Sequence, residues 1–150
     1  MPTQGEKKIL PYRAEQMYEL AADVAAYPQF LPWISASRIR SHQVVDDHEV
    51  MLADLVISFK VFRERFGSKV VLRRQDHRIE MEYLDGPFKY LQSYWQFTDQ
   101  EGGGCEVDFF VDFEFKNLIL QKLIGVVFTE AVRRTMRAFE DRAKALYGAG

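Results

Sequence analysis

The chain has 150 residues, with 20 Lys and Arg against 22 Asp and Glu, a formal net charge of −2, 47% hydrophobic residues and one cysteine, Cys105. This length predicts one domain over residues 1–150, large enough to bury about two thirds of its unfolded surface without a metal or disulfide staple. The balanced charge excludes a general polyanion binder and an acidic disordered tail, and a lone cysteine excludes an internal disulfide and fits a reducing compartment.

Residues 3–10 (TQGEKKIL) predict a first strand closed by Pro11. A helix is expected from Tyr12 to Val24, where Met17, Leu20, Ala21 and Val24 recur at helical spacing. The next stretch, AAYPQFLPW, sets Tyr27, Phe30 and Trp33 among Pro28 and Pro32 and reads as a short bent element. From Ser35 the period becomes alternating. Met51, Ala53, Leu55, Ile57 and Phe59 share one side of a strand, and Phe66, Ser68, Val70 and Leu72 one side of the next, with Arg65, Lys69 and Arg73 opposite. Ile79, Met81 and Tyr83 continue the pattern. Asp85-Gly86-Pro87 marks a turn before a strand whose inner side carries Leu91, Trp95 and Phe97. A second turn, Gly102-Gly103-Gly104, precedes a strand with Cys105, Val107, Phe109, Val111, Phe113 and Phe115 inward. Asn117 offers an N-cap for one long helix to about Tyr147, with Leu120, Ile124, Val127, Phe128, Ala131, Met136, Phe139, Ala143 and Leu146 on its apolar stripe and Gly148 as its stop. The fold class is α+β, a curved antiparallel sheet whose apolar face must bury against that last helix.

Three segments in this order, YPQFLPW, GPFKYLQSYW and FVDFEFKNLIL, resemble the coenzyme Q-binding family of the START and polyketide cyclase superfamily, across roughly residues 3–147. The resemblance implies a helix-grip (START-like) fold, with an apolar tunnel between the sheet and a long C-terminal helix. It implies ubiquinone or another polyprenyl lipid as ligand and partner, in support of respiration. It equally implies a bacterial branch, the ribosome-association toxins, with the large ribosomal subunit as partner, and it reaches cyclase or hydratase enzymes. No cofactor beyond the quinone ligand is expected.

Two readings stand for the aromatic segment: Tyr27, Phe30 and Trp33 either plug the core or cap a tunnel mouth. Phe59, Phe62 and Phe66, around a later turn, are candidates for the opposite lip. A polyprenyl tail is held in a bilayer by roughly 0.8 kcal/mol per methylene, so a carrier must enclose much of it in apolar wall. Leu123, Val127 and Phe128 of the last helix, with Trp95, are expected to supply that wall. Tyr94, Trp95 and Lys89 are available to a headgroup, and strand parity favours Trp95.

Residues 60–78 hold seven basic side chains against two acidic ones, a local +5. Arg65, Lys69 and Arg73 share a strand face, either a plain solvated surface or a contact for anionic lipid headgroups or ribosomal RNA phosphates. Asp108, Asp112 and Glu114 alternate outward as a solvated face. His42, His48 and His77 fall at turns without ligand spacing, so no metal is expected. Cys105 points inward and reads as a buried small hydrophobe. The three-glycine run precedes a strand and lacks the helix start a phosphate loop needs. An enzyme would need an ionisable pair inside the cavity, and parity offers none. No secretory signal opens the chain, and its longest apolar run, 118–128, falls short of the ~20 residues of a membrane span. The expected location is cytoplasmic, with contact at the inner membrane peripheral; oligomeric state is open.

Overall fold

The computed structural model describes residues 3–31, 33–59, 62–123 and 125–148, and within these not the side chains of Thr3, Gln4, Phe59, Phe62, Leu120, Leu123, Val127 and Phe128. Pro32 and Ile124 of the sequence-based expectations thus lie outside the described residues. Strand β1 (Thr3–Leu10) leads to helix α1 (Ala14–Ala22) and a 3-10 segment (Val24–Gln29). Six strands follow: β2 (Ile34–Val45), β3 (His48–Phe59), β4 (Phe62–Arg73), β5 (Arg78–Asp85), β6 (Phe88–Asp99) and β7 (Cys105–Phe115). Helices α2 (Leu118–Leu123), α3 (Gly125–Arg133) and α4 (Thr135–Tyr147) complete the chain.

The strands form one antiparallel sheet in the order β1-β7-β6-β5-β4-β3-β2. Because β1 pairs with the last strand, the α1 segment and the C-terminal helices end on the same, concave face. The expected alternation is clearest in β7, whose odd residues from Cys105 to Phe115 are all buried. In β3 and β4 the predicted inner residues Met51, Ala53, Leu55, Ile57, Phe66, Ser68, Val70 and Leu72 are buried as well. Phe88 departs from simple parity. A register shift between Phe88 and Tyr90 turns this ring inward, where it stacks on Phe115 at 4.8 Å.

Helix α1 starts two residues later than expected, at Ala14. Tyr12 is instead buried ahead of it, its hydroxyl donating to the Gly148 carbonyl at 2.7 Å, and the Arg13 N–H donates to Gln16 Oε1 at 2.9 Å. The helix stops at Ala22, and Val24 passes into the 3-10 segment that contains Pro28. The single long C-terminal helix is likewise corrected, being interrupted at Arg134. Between α3 and α4 the Arg134 N–H turns back to the Ala131 carbonyl, an i−3 bond that tightens the last turn, and Arg134 flattens to ψ −2°. Asn117 caps α2 as expected, accepting from the Ile119 N–H at 2.8 Å. On α4 the buried stripe is Met136, Phe139 and Ala143, then Tyr147 against the core. Leu146, expected inside, lies one residue off that stripe and is exposed. His42 sits within β2 rather than at a turn.

Gly86 sets the β5–β6 turn at φ +139°, and a Cβ there would lie 2.7 Å from Phe66 Cβ and 2.9 Å from the Arg65 carbonyl oxygen. Gly86→Ala is therefore expected to cost about 2–3 kcal/mol in backbone strain, read as a lower urea midpoint at unchanged m-value. Gly103→Ala, with φ +104° and open space around it, should cost about 1 kcal/mol.

Candidate ligand-binding cavity

Between the concave face of the sheet and the C-terminal helices lies a partly open apolar cavity of about 80 Å³. The segment before β2 contributes Val24, Tyr27, Leu31 and Trp33; the sheet contributes Leu55, Phe66, Ile79, Trp95 and Phe109; α3 and α4 contribute Val132, Thr135 and Phe139. Phe139 joins the three walls. Its ring meets Tyr27 edge-on at 5.7 Å and Phe30 at 5.1 Å, and lies 4.5 Å from Trp95.

Of the residues expected at the site, Tyr27, Trp33, Phe66, Tyr94 and Trp95 line the cavity. Phe30 stands behind Tyr27, on the outer side. Phe66 is buried wall against Phe88 at 5.6 Å, which removes it from an exposed lip. The side chains of Phe59, Phe62, Leu123, Val127 and Phe128 lie outside the described residues. Tyr94 directs its ring outward as parity required, stacked on Phe110 at 5.4 Å with the Arg78 guanidinium 4.4 Å away, and Lys89 is exposed.

Outside Trp33 runs a surface groove of about 990 Å³ bounded by Phe30, Val126, Arg134, Ala138 and Arg142. Trp33 belongs to both spaces, so it is the partition between them. A second opening lies in the sheet itself. Strands β5 and β6 pair only from Arg78↔Gln96 to Glu82↔Gln92, and beyond that a groove lined by Tyr83, Tyr90 and Gln92 shares Met81, Leu91, Ser93 and Tyr94 with the cavity.

The wall holds no Asp, Glu, His, Lys, Arg or Cys among the described residues. Its polar atoms are few. The Tyr27 hydroxyl donates to the Ala21 carbonyl, and its burial pushes the phenol pKa upward. Ser93 and Thr135 are the two aliphatic hydroxyls in the wall, and sequence reasoning overlooked both. Parity marks Ser93, which shares the inner side with Leu91, Trp95 and Phe97. Helical spacing marks Thr135, four residues from both Ala131 and Phe139.

The outer face differs from its local charge count. Arg65 reaches Asp54 at 2.6 Å and Asp85 at 2.9 Å, Arg73 reaches Glu80 at 3.0 Å, Lys69 lies 3.9 Å from Glu82, and Arg74 pairs with Glu19. The acids come from α1, β3 and β5, outside the counted window. Glu80 is held below the usual carboxylate range by its bonds to Arg73 and Arg78, which outweigh its partial burial. Among the described residues no three His, Cys, Asp or Glu cluster as a metal site, and no helix is long and apolar enough to cross a membrane.

A curved antiparallel sheet closed over C-terminal helices, with an apolar space held between them, defines the helix-grip class of cavity proteins. The chain belongs to the family described as polyketide cyclase / dehydrase and lipid transport, which matches residues 10–140. It is 40% identical to the ribosome association toxin RatA of Rickettsia prowazekii, covering 91% of this chain and 92% of that protein. It is 35% identical to the mitochondrial coenzyme Q-binding protein COQ10 homolog B of Xenopus laevis, covering 96% of this chain and 59% of that one. Among solved structures, an 18 kDa protein of Caulobacter crescentus is 34% identical and superposes with a TM-score of 0.80, covering 99% of this chain and all of that one (100%). The family expected from the three sequence segments is thus the family found.

Cys105 is fully buried, and burial pushes its thiol up to about 11, with Asp99 adding to the shift. The folded protein is expected to leave Cys105 unmodified by a disulfide reagent at pH 8, while the urea-unfolded chain reacts with one equivalent. Rapid labelling of the native state would contradict this environment.

Proposed function

We propose that the domain binds ubiquinone or a similar polyprenyl lipid in the cavity and acts as a carrier or chaperone, without chemistry. The observation that carries this reading is an apolar space between sheet and helices whose described walls are almost without polar atoms. The lack of an acid or base in that wall supports carriage over catalysis. The coenzyme Q-binding relative supports the ligand class.

Volume sets how loading must work. Pockets for drug-sized molecules occupy about 300–1,000 Å³, far above the 80 Å³ here. A quinone ring with its tail therefore enters only as the walls separate. Trp33, the partition to the outer groove, is the side chain whose displacement joins the two spaces. The β5–β6 opening lies on the far side, beside Ser93.

The first test is native mass spectrometry of the protein from its own host, followed by organic extraction. A quinone at near-stoichiometric yield is the expected result. The chain has two tryptophans, Trp33 and Trp95, and both line the cavity, so titration with ubiquinone-2 should quench most of the intrinsic fluorescence. Val132→Phe fills the empty cavity with a ring and should abolish that quenching while the protein stays folded by circular dichroism. Full quenching in this variant would place the ligand elsewhere.

A second reading, association with the large ribosomal subunit, is favoured by the names and extent of the RatA relatives. On that reading Arg65, Lys69 and Arg73 meet RNA phosphates, although each already has an acidic partner to exchange. Reversing all three to Glu should then abolish co-sedimentation with large subunits at low salt, and Val132→Phe should spare it. Co-sedimentation that survives the triple reversal removes this face from the function.

A further inference from the structure

Among the described residues, the cavity wall contains one fully buried side-chain hydroxyl that the fold leaves without a partner. Thr135 is 4% exposed, lines the cavity, and its hydroxyl makes no hydrogen bond. A buried, unpaired hydroxyl destabilises the empty protein, because it has given up water and gained nothing. Threonine inside a helix ordinarily returns its hydroxyl to a carbonyl of the preceding turn. Thr135 instead opens α4 immediately after the break at Arg134, and its hydroxyl has no bond of that kind.

A second hydroxyl belongs to the same space. Ser93 sits on β6 opposite Met81 of β5 and Val111 of β7, on the inner side of the sheet. It lines the cavity among apolar neighbours at the place where β5 and β6 part.

We infer that Thr135, assisted by Ser93, is the polar anchor of the cavity, taking a ligand that carries an acceptor oxygen such as a quinone carbonyl on an otherwise apolar body. The oxygen-bearing end then lies deep, against α4 and β6, and the tail leads outward. This moves the headgroup away from Lys89 and Tyr94, both of which face outward. The assignment rests on the lipid-binding proposal above and makes it specific: a hydrocarbon of the same shape fits the walls but leaves the Thr135 hydroxyl unpaired.

The test compares two probes by isothermal titration calorimetry, ubiquinone-2 and geranylbenzene, which keeps a ring and a two-isoprene tail but has no oxygen. Thr135→Val should weaken ubiquinone-2 about 3- to 10-fold, the range of one hydrogen bond, and leave geranylbenzene unchanged. Thr135→Ser should keep the wild-type preference, and Ser93→Ala should lose a smaller part of it. The empty Thr135→Val protein should melt at a higher temperature than wild type, opposite in sign to its loss of affinity, which a merely structural hydroxyl would not produce. Wild-type affinity of Thr135→Val for ubiquinone-2 overturns the anchor while the lipid carrier stands. If the wild-type protein binds neither probe, the carrier falls and the anchor with it.

Discussion

The sheet curls its apolar side around a single strip of helix, and the fold depends on how that strip is gripped. Phe139 is the point of contact. It meets the 3-10 segment through Tyr27 and Phe30 and the sheet through Trp95, so the three walls are held against one ring. Edge-on aromatic contacts of this kind contribute about 0.5–1.5 kcal/mol each beyond the area they bury. Where the helix line breaks at Arg134, neither side chains nor backbone fill the concave face completely, and the cavity occupies the remainder.

The same geometry explains which parts of the molecule were legible in the sequence. Period-two alternation in β3, β4 and β7 marked the inner face residue by residue, because a half-buried strand has only two sides. Inward placement of Trp95 and Cys105 followed from it. Phe88 was not legible: a bulge resets parity, and nothing in GPFKY announces where the extra residue falls. The continuous C-terminal helix was over-read for a related reason. Apolar spacing runs on through residues 131–139, while the i−3 turn at Arg134 is a backbone event without a proline or glycine to signal it. Thr135 and Ser93 stood on apolar faces all along and were passed over because a lone hydroxyl among hydrophobic neighbours leaves no motif.

Charge was the least readable property. Counted along the chain, residues 60–78 are strongly basic, yet register brings Asp54, Glu80, Glu82 and Asp85 alongside Arg65, Lys69 and Arg73. Exposed pairs of this kind contribute only about 0–1 kcal/mol each to stability. Their larger effect is on the field the face presents, since each paired guanidinium offers less to a distant phosphate. An RNA backbone would have to displace carboxylates already in place, whereas the cavity asks no such exchange of its ligand.

The cavity combines two features that pull in opposite directions. It is small, which keeps apolar walls in contact and stabilises the empty protein, and it retains a buried hydroxyl, which costs about 1–3 kcal/mol while it has no partner. A valine at residue 135 would remove that cost with almost no change of shape. An empty domain selected for stability alone has no use for the hydroxyl, but a domain that spends part of its time loaded recovers the cost when an oxygen arrives. On the lipid-binding proposal, contraction and an unpaired hydroxyl belong together: the first would keep an unloaded carrier folded in water, and the second would give an oxygen-bearing lipid an advantage over the plain hydrocarbons that an apolar wall would otherwise accept on equal terms.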